Sequence, residues 1–563
     1  MPVRVYRSSY PEIVPLDVDL NTFLFSNPNN TPRSKPVFID AITGEARTFD
    51  EIQRRTRSLA HGLRQLGVRP KDIVSFISPN SIDYALTCYA IIGCGATVSP
   101  INAASTPVEV QDQLETSEAR LLIAHSCVWD TAEKAIRFNP TIKLIQADGQ
   151  GNVHGQPTAE QLALTCPPTP LVTIEPEEAG DRLCFMCFSS GTTGRAKGVM
   201  TTHRNMVSNL QQWMVHMPDD WTGETTSIAF LPFSHIYGLS MFPCMSMLTV
   251  SSVVVLPRFD LDIYLGAVQK YKPKALTMVP PVALLLAKDP RVTQYDLRSV
   301  ERILCAAAPL SVEVREAVEG KFKQAFGTTV QCFQAWGMTE TSPLGTVVPL
   351  DRMDKKHTVG NVTPSMEFRV VDPETMQDAE LDAQSSATQP GEIWCRGPNV
   401  MKGYYKNAAA TRDSFVRDQD GHLWFRTGDI GTIDKDGFLT IVDRIKEMIK
   451  YKGLQVTPSE LEGKLLKHPD VEDACVVGIW VEQRATELPV GFIVITKSAK
   501  LRGEKAVVTE VNEWLNKKVA NHKRLRGGLH IVDAIPKSPS GKILRRRLKD
   551  SLKTKGPNVV AKL

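Results

Sequence analysis

The stretch FSSGTTGRAKGVM, residues 188–200, places two serines, two threonines, three glycines and one lysine directly behind the apolar run LCFMC. Glycines permit tight turns with positive φ, hydroxyls and bare backbone amides donate hydrogen bonds, and Lys197 adds a positive charge. Such a loop suits a polyphosphate, and ATP is the ligand it predicts. The common nucleotide loop, GxxxxGKS or GxxxxGKT, does not fit. Ala196 stands where its second glycine belongs, and Gly198 replaces the hydroxyl that would hold magnesium. Taken alone, the same composition also describes a surface turn rich in Ser, Thr and Gly.

Outward from this loop the chain alternates helix and strand patterns. Residues 49–67 carry apolar side chains at helical spacing (Ile52, Leu59, Leu63, Leu66), end in glycine and lead into the apolar run 73–77, which predicts a helix and then a strand. The rhythm repeats as helix 84–92, strand 97–100, helix 108–116 and strand 121–124, with further strands at 227–230, 253–256, 275–279 and 302–306. This is the pattern of layered α/β structure with parallel strands and crossover helices. From about Gly391 the texture shifts to GEIWCRG, DGHLWF and DKDGFLTIVD, short alternating runs beside Gly or Asp, which predict a β-rich subdomain at about 360–442. After Asp443 a helix and strand mixture resumes (459–466, 474–479, 490–495, 508–519). The expected fold class is therefore α/β: a large N-terminal domain, 1–442, a boundary at 443–446, and a small α+β C-terminal domain, 447–563.

A chain of 563 residues exceeds what one hydrophobic core supports, and 42% hydrophobic with 23% charged residues excludes disorder and fibrous repeats. A net charge of +4 on this length argues against nucleic acid as a partner, although KILRRRLK at 542–549 is a local basic cluster. The eleven cysteines are odd in number, scattered and often set in apolar runs, as expected of reduced core thiols in an intracellular compartment. Cys184 and Cys187 have CxxC spacing, but residues three apart on a strand face opposite sides, so core packing is the better reading. The N-terminus lacks the apolar centre of a signal peptide, and the longest apolar region, 241–256, is interrupted by Pro243 and four hydroxyl residues, so no membrane span is expected. Ala561, Lys562 and Leu563 follow the small, basic, leucine pattern of a peroxisomal address, which predicts a peroxisomal location and an import receptor as partner. An accidental tripeptide on a cytoplasmic protein is the alternative.

Several further segments carry candidate chemistry. LPFSHIYG, 231–238, holds His235 among apolar and aromatic residues, where a core histidine is at least as good a reading as a functional one. QAWGMTETSP, 334–343, offers Trp336 as an aromatic face for a purine, the Thr339 hydroxyl for phosphate and the Glu340 carboxylate for Mg²⁺; a core tryptophan beside a capping threonine fits equally. FRTGDIG, 425–431, sets Asp429 in a glycine-flanked turn where it can accept both hydroxyls of a ribose. DRIKEMIKYKGLQV, 443–456, supplies Arg444, Lys446, Lys450 and Lys452, which also read as a solvated cationic face. PKSPSGKILRRRL, 536–548, presents Lys542 behind a Ser-Pro-Ser-Gly turn, as an ordinary surface lysine would also be presented.

In their order and wording, SSGTTGRAKG, QAWGMTE, TGD, DRIKEMIKYKG and PSGK resemble the adenylate-forming superfamily of acyl-CoA synthetases, luciferases and carrier-protein adenylation domains, and most of all its 4-coumarate:CoA ligase branch. The resemblance covers nearly the whole chain. It implies that a carboxylate attacks the α-phosphorus of ATP and that coenzyme A then captures the acyl adenylate. By the matching positions, Ser189, Ser190, Gly191, Thr192, Thr193 and Gly194 with Lys197 hold the pyrophosphate end of ATP, Trp336 stacks on adenine beside Gln334 and Ala335, and Thr339 contacts the α-phosphate. Glu340 coordinates Mg²⁺, Asp429 and Arg444 bind ribose, and Lys542 bridges the substrate carboxylate and the α-phosphate. The small C-terminal domain turns about a hinge at Lys446, bringing Lys450 and Gln455 into the thioester step, with Lys452, Gly453 and Arg258 meeting CoA.

The resemblance also implies an acyl pocket gated by His235 and lined by Tyr237, Ser240, Ala306, Ala307, Gly337, Pro343 and Leu344. Where the ligases read Gly-Tyr-Gly this chain has Ala335, Trp336 and Gly337, and where they read Ser-Gly-Ala-Ala-Pro it has Cys305, Ala306, Ala307, Ala308 and Pro309. The extra methyls narrow the pocket, and Leu344 adds bulk over a valine, so aromatic propenoates, arylacetates and medium-chain fatty acids all stay open as substrates. A luciferase-like oxygenase would share every motif. A carrier-protein adenylating enzyme is disfavoured because no carrier sequence follows Leu563, and a non-catalytic acyl-AMP or ATP sensor because Lys542 and Glu340 are intact.

Overall fold

A computed structural model of the chain describes all residues except 1–3, 138, 150–156, 190–195, 219–220, 383–386, 453, 485, 539–540 and 555–563. The helix Phe49–Gln65 begins where the Thr48 hydroxyl accepts from the Glu51 amide, and it buries Ile52, Leu59 and Leu63. Tyr84–Gly93 is buried at every position, so it lies as a core helix with no polar face. These helices belong with a six-stranded sheet in the order Lys143–Gln146, Leu121–Ala124, Ile73–Ser78, Thr97–Asn102, Leu183–Ser189, Lys197–Thr202. Its first five strands are parallel and the last is antiparallel to its neighbour, with Ser189 opposite Lys197. The expected parallel sheet thus gains an antiparallel edge pair, which brings Ser189 and Lys197, at the two ends of the Ser, Thr and Gly-rich segment, side by side.

A second sheet orders Thr226–Ala229, Ser252–Val255, Pro36–Asp40 and Ala46–Thr48. A third runs Ala275–Met278, Arg302–Cys305 and Gln331–Gly337 in parallel, then adds Leu344–Val347 and Asn361–Val362 antiparallel. One apolar core, including Phe76, Phe185, Phe233, Phe242 and Phe333, is continuous through these layers. The β-rich part is an antiparallel sheet of Tyr6–Arg7, Glu367–Val371, Gly391–Arg396, Leu423–Ile433 and Phe415–Arg417, with Leu439–Arg444 paired to Leu423–Ile433. It encloses its own core of Phe368, Ile393, Phe425 and Leu439.

Beyond Arg444 a small lobe combines the hairpin strands Ile449–Tyr451 and Leu454–Val456 with a sheet of Val471–Val481, Thr486–Ile495 and Leu529–Ile531. Helices Pro458–Leu465 and Glu504–Asn516 pack on it around Leu461, Leu465, Val507, Val511 and Leu515. The lobes touch directly. Lys467 Nζ lies 2.5 Å from Glu313 Oε1, and the Asp443 carboxylate accepts from the Ser459 amide at 3.2 Å and its hydroxyl at 3.1 Å. Gly541 approaches Val279 so closely that a Cβ there would sit 3.2 Å from it. All eleven cysteines are free, and no helix among the described residues is long and apolar enough to cross a membrane.

Candidate functional site

The strand Gln331–Gly337 carries the first part of the site to the junction of the third sheet with the β-rich sheet. Trp336 Nε1 donates to Asp429 Oδ2 at 2.8 Å, and Arg444 Nε lies 3.0 Å from Asp429 Oδ1. Asp429 and Arg444 are cross-strand partners, so the ladder itself fixes that ion pair. The buried Asp429 carboxylate holds the Arg444 guanidinium above its ordinary pKa. The indole packs over Gly345, where a Cβ would lie 2.4 Å from the ring, and meets Phe368 edge-on at 5.6 Å. Gln334 Oε1 accepts from the Leu310 amide at 2.8 Å, so this side chain anchors the segment after Arg302–Cys305.

Glu340, 5% exposed, accepts at Oε1 from the Tyr404 hydroxyl at 2.9 Å, and the Lys197 ammonium sits 4.7 Å from the centre of the Tyr404 ring. Burial and the Glu340 carboxylate both push the Tyr404 hydroxyl pKa up, so it stays a donor. Tyr404 thereby links Lys197 to the Glu340 carboxylate. A carboxylate steadied through one oxygen keeps lone pairs for a hard cation, which fits Glu340 to a Mg²⁺ ligand's part. Thr339 is buried beside it.

Lys542 reaches the large lobe from the small one. Its backbone is held in a turn, the amide donating to Ser538 Oγ at 3.1 Å and the carbonyl accepting from the Ser538 amide at 2.8 Å. Burial, and then the Arg444 guanidinium, pull its ammonium down to about 8, against the opposing pull of Glu447, Asp429 and Glu340. His235 is in turn pulled down to about 4, by burial and by the Lys542 charge, so it is neutral at pH 7. Its Nδ1 accepts from the Tyr237 amide at 3.3 Å, which assigns the ring proton to Nε2. Residues from four separated segments therefore share one electrostatic environment: His235, Glu340, Asp429 with Arg444, and Lys542.

Next to it lies a cavity of about 40 Å³ lined by His235, Ile236, Tyr237, Ala306, Ala307, Ala335, Trp336, Gly337, Met338, Pro343, Leu344 and Trp213. Of the expected pocket residues only Ser240 is absent from this lining. It is fully buried at the start of the π-helical turn Ser240–Cys244. Met338, inside the QAWGMTETSP segment, also lines the cavity, and Trp213 and Tyr404 belong to the site although their sequence surroundings do not single them out. Trp213 lies on the amphipathic helix His203–His216, whose spacing announces only a core face, and Tyr404 sits in an unremarked MKGYY run.

Lys450, Lys452 and Gln455 are exposed on the small-lobe hairpin, Lys450 and Gln455 directly opposite each other, and are not part of the buried cluster around Lys542. Arg258 and Lys446 are likewise exposed. Ser190, Gly191, Thr192, Thr193, Gly194, Gly453, Ala561, Lys562 and Leu563 lie outside the described residues.

The AMP-binding enzyme family matches residues 24–405, and the AMP-binding enzyme C-terminal domain matches residues 460–542. 4-Coumarate–CoA ligase-like 9 of Oryza sativa subsp. japonica is 37% identical over 556 residues, covering 97% of this chain and 95% of the relative. Peroxisomal OPC-8:0-CoA ligase 1 of Arabidopsis thaliana is 35% identical over 545 residues, covering 94% and 92%. Among solved structures, the ATP-bound RpMatB-BxBclM chimera B3 superposes with a TM-score of 0.82 at 24% identity over 95% of this chain and 99% of the other, a likeness of fold.

Proposed function

As the chain belongs to the AMP-binding enzyme family and is an AMP-forming CoA ligase, we propose that it activates an aromatic propenoate, an arylacetate or a medium-chain fatty acid. The carboxylate oxygen attacks the α-phosphorus of ATP, pyrophosphate leaves, and the CoA sulfur then displaces AMP from the acyl carbon. The observation that carries this reading is the arrival of Lys542, from the small lobe, in the environment of Glu340, Asp429 and His235. Two anions must meet there, and a cation in a partly dehydrated cleft offsets their repulsion far better than it would in water. Neutral His235 leaves the acyl entrance without competing positive charge. Bound Mg²⁺, with Glu340 as its protein ligand, would supply further charge neutralisation at the phosphates.

In this proposal residues 1–442 and 447–563 are the two working domains, and residues 443–446 are the hinge between them. Lys446 lets the small lobe rotate, withdrawing Lys542 and presenting Lys450 and Gln455 for thioester formation, with Arg258, Lys452 and Gly453 meeting CoA. Ser189, Ser190, Gly191, Thr192, Thr193, Gly194 and Lys197 cradle the β- and γ-phosphates, Thr339 meets the α-phosphate, and Trp336 faces adenine. Residues 561–563 address the protein to peroxisomes. A panel of cinnamic, arylacetic and C6 to C12 acids, assayed for acid-dependent pyrophosphate release and for the CoA thioester by mass spectrometry, tests the reaction. Pyrophosphate release without thioester would overturn it. A C-terminal tag that masks Leu563 should move the protein to the cytosol, and an unchanged peroxisomal signal would refute the address.

A further inference from the structure

Arg545 opens the helix Arg545–Thr554, three residues after Lys542, and all three nitrogens of its guanidinium are engaged. Nη2 donates to both carboxylate oxygens of Glu462 at 2.8 Å, Nη1 lies 3.0 Å from Glu447 Oε2, and Nε donates to the Val476 carbonyl at 3.4 Å. Glu462, on the helix Pro458–Leu465, also accepts from the Val476 amide at 2.8 Å. These are charges held away from water: the side chains of Arg545, Glu447 and Glu462 are 15%, 12% and 10% exposed. At one end the cluster stands at the foot of the turn that presents Lys542, where the Leu544 amide donates to the Pro536 carbonyl at 2.8 Å and Lys537 bridges to Ile543. At the other end the Glu447 amide donates to the Arg444 carbonyl at 2.9 Å, and Arg444 is the ion-pair partner of Asp429. A continuous run of bonds therefore leads from Asp429 through Arg444, Glu447 and Arg545 to the base of the Lys542 turn.

We propose that Arg545 is a positioning residue for adenylation: through Glu447 it fixes the base of the Lys542 turn at a set distance from Asp429 and Arg444, so that the ammonium arrives in register with the bound nucleotide. A buried ion cluster adds little stability over well-packed apolar side chains, whereas its directional bonds fix geometry. Only a planar guanidinium can hold Glu462 with one nitrogen and Glu447 with another; an ammonium is a single point charge. The demand on geometry is high, since a misplacement of about 1 Å can cost a reacting centre about a hundredfold in rate. Thioester formation, in which Lys542 takes no part, makes no such demand on Arg545. The inference rests on the reading of the chain as an acid:CoA ligase whose first step uses Lys542, and it adds a residue to that step.

The test measures both half-reactions in the full-length enzyme, in Arg545→Lys and in Glu447→Gln. Arg545→Lys keeps the positive charge and loses the fork; Glu447→Gln keeps the shape, cuts only the tie towards Arg444 and leaves Arg545 on Glu462, so it tests the same link with less risk to the fold. Acid-dependent ATP–pyrophosphate exchange is read at pH 6.5, where Lys542 is charged and loss of the Glu447 charge does not register as loss of the lysine's proton. The kcat for exchange should fall tenfold or more in both variants with KM for ATP within threefold of native. Transfer from supplied acyl adenylate to CoA should stay within twofold. Exchange within twofold of native in either variant overturns the proposal. So does an equal loss of both half-reactions, which would assign Arg545 to the stability of the small lobe alone. Those results leave the ligase reading intact, whereas a native enzyme that shows neither exchange nor thioester with any acid of the panel would overturn that reading itself.

Discussion

Raising the pH should switch off adenylation through Lys542 before it affects anything else in the site. Burial and Arg444 bring this ammonium from 10.5 down to about 8 when the lobes are closed. With that value the charged fraction falls from about nine-tenths at pH 7 to about one-tenth at pH 9, so kcat/KM for ATP in the first half-reaction should fall roughly tenfold across this window. Once the triphosphate is bound its negative charge raises the lysine again, and kcat should decline only at higher pH. The same shift bears on lobe closure. The closed state favours neutral Lys542, so charging it opposes closure by on the order of 3 kcal/mol below pH 8; this penalty fades as the pH rises towards 10.5. Nucleotide anions offset it, which couples closure to ATP. Acid-dependent ATP–pyrophosphate exchange isolates the first step and can be followed from pH 6.5 to 9.5. Lys542→Arg, whose guanidinium stays charged throughout, should be slower yet flat across that range. A flat native profile, or an alkaline limb unchanged in Lys542→Arg, would refute the reasoning.

Three other outcomes are expected. Trp336→Phe keeps a ring but removes the donor to Asp429 Oδ2, and the loss of a charge-assisted bond worth about 1.5–3 kcal/mol should raise KM for ATP by tenfold or more, with a smaller change in KM for the acid, read from initial rates. Ala307 sits at φ 71°, a left-handed conformation that costs a non-glycine residue about 1 kcal/mol, so Ala307→Gly should stabilise the protein by a similar amount in urea unfolding and widen the cavity it lines. Glu313→Gln removes the inter-lobe contact to Lys467; with side chains 34% and 45% exposed this pair is worth less than about 1 kcal/mol, so adenylation should fall no more than about fivefold, and the difference should vanish at high salt.

Much of the layering was legible because local rules and tertiary packing agree in it. The strand at 121–124 and the helices at 49–67 and 108–116 stand within two residues of their expected bounds, since each carries its own periodicity and caps. The strand Tyr6–Arg7 escaped because two residues carry no pattern, and only pairing with Glu367–Val371 makes them a strand. The motif residues were readable as a set by family resemblance, but their connections were not. That Tyr404 bridges Lys197 and Glu340, and that Trp336 donates to Asp429, depends on backbone paths between segments 64 to 207 positions apart. Ser240 shows the converse. Three positions from Tyr237 it should share a helical face, yet it is fully buried and absent from the cavity lining.

The most direct test of the account is a paired half-reaction measurement on Lys542→Ala. Acid-dependent ATP–pyrophosphate exchange should disappear, while transfer of the acyl group from supplied acyl adenylate to CoA should continue at close to the native rate. Retention of exchange, or equal loss of both half-reactions, would contradict the claim that a lysine delivered by the small lobe brings the carboxylate and the α-phosphate together.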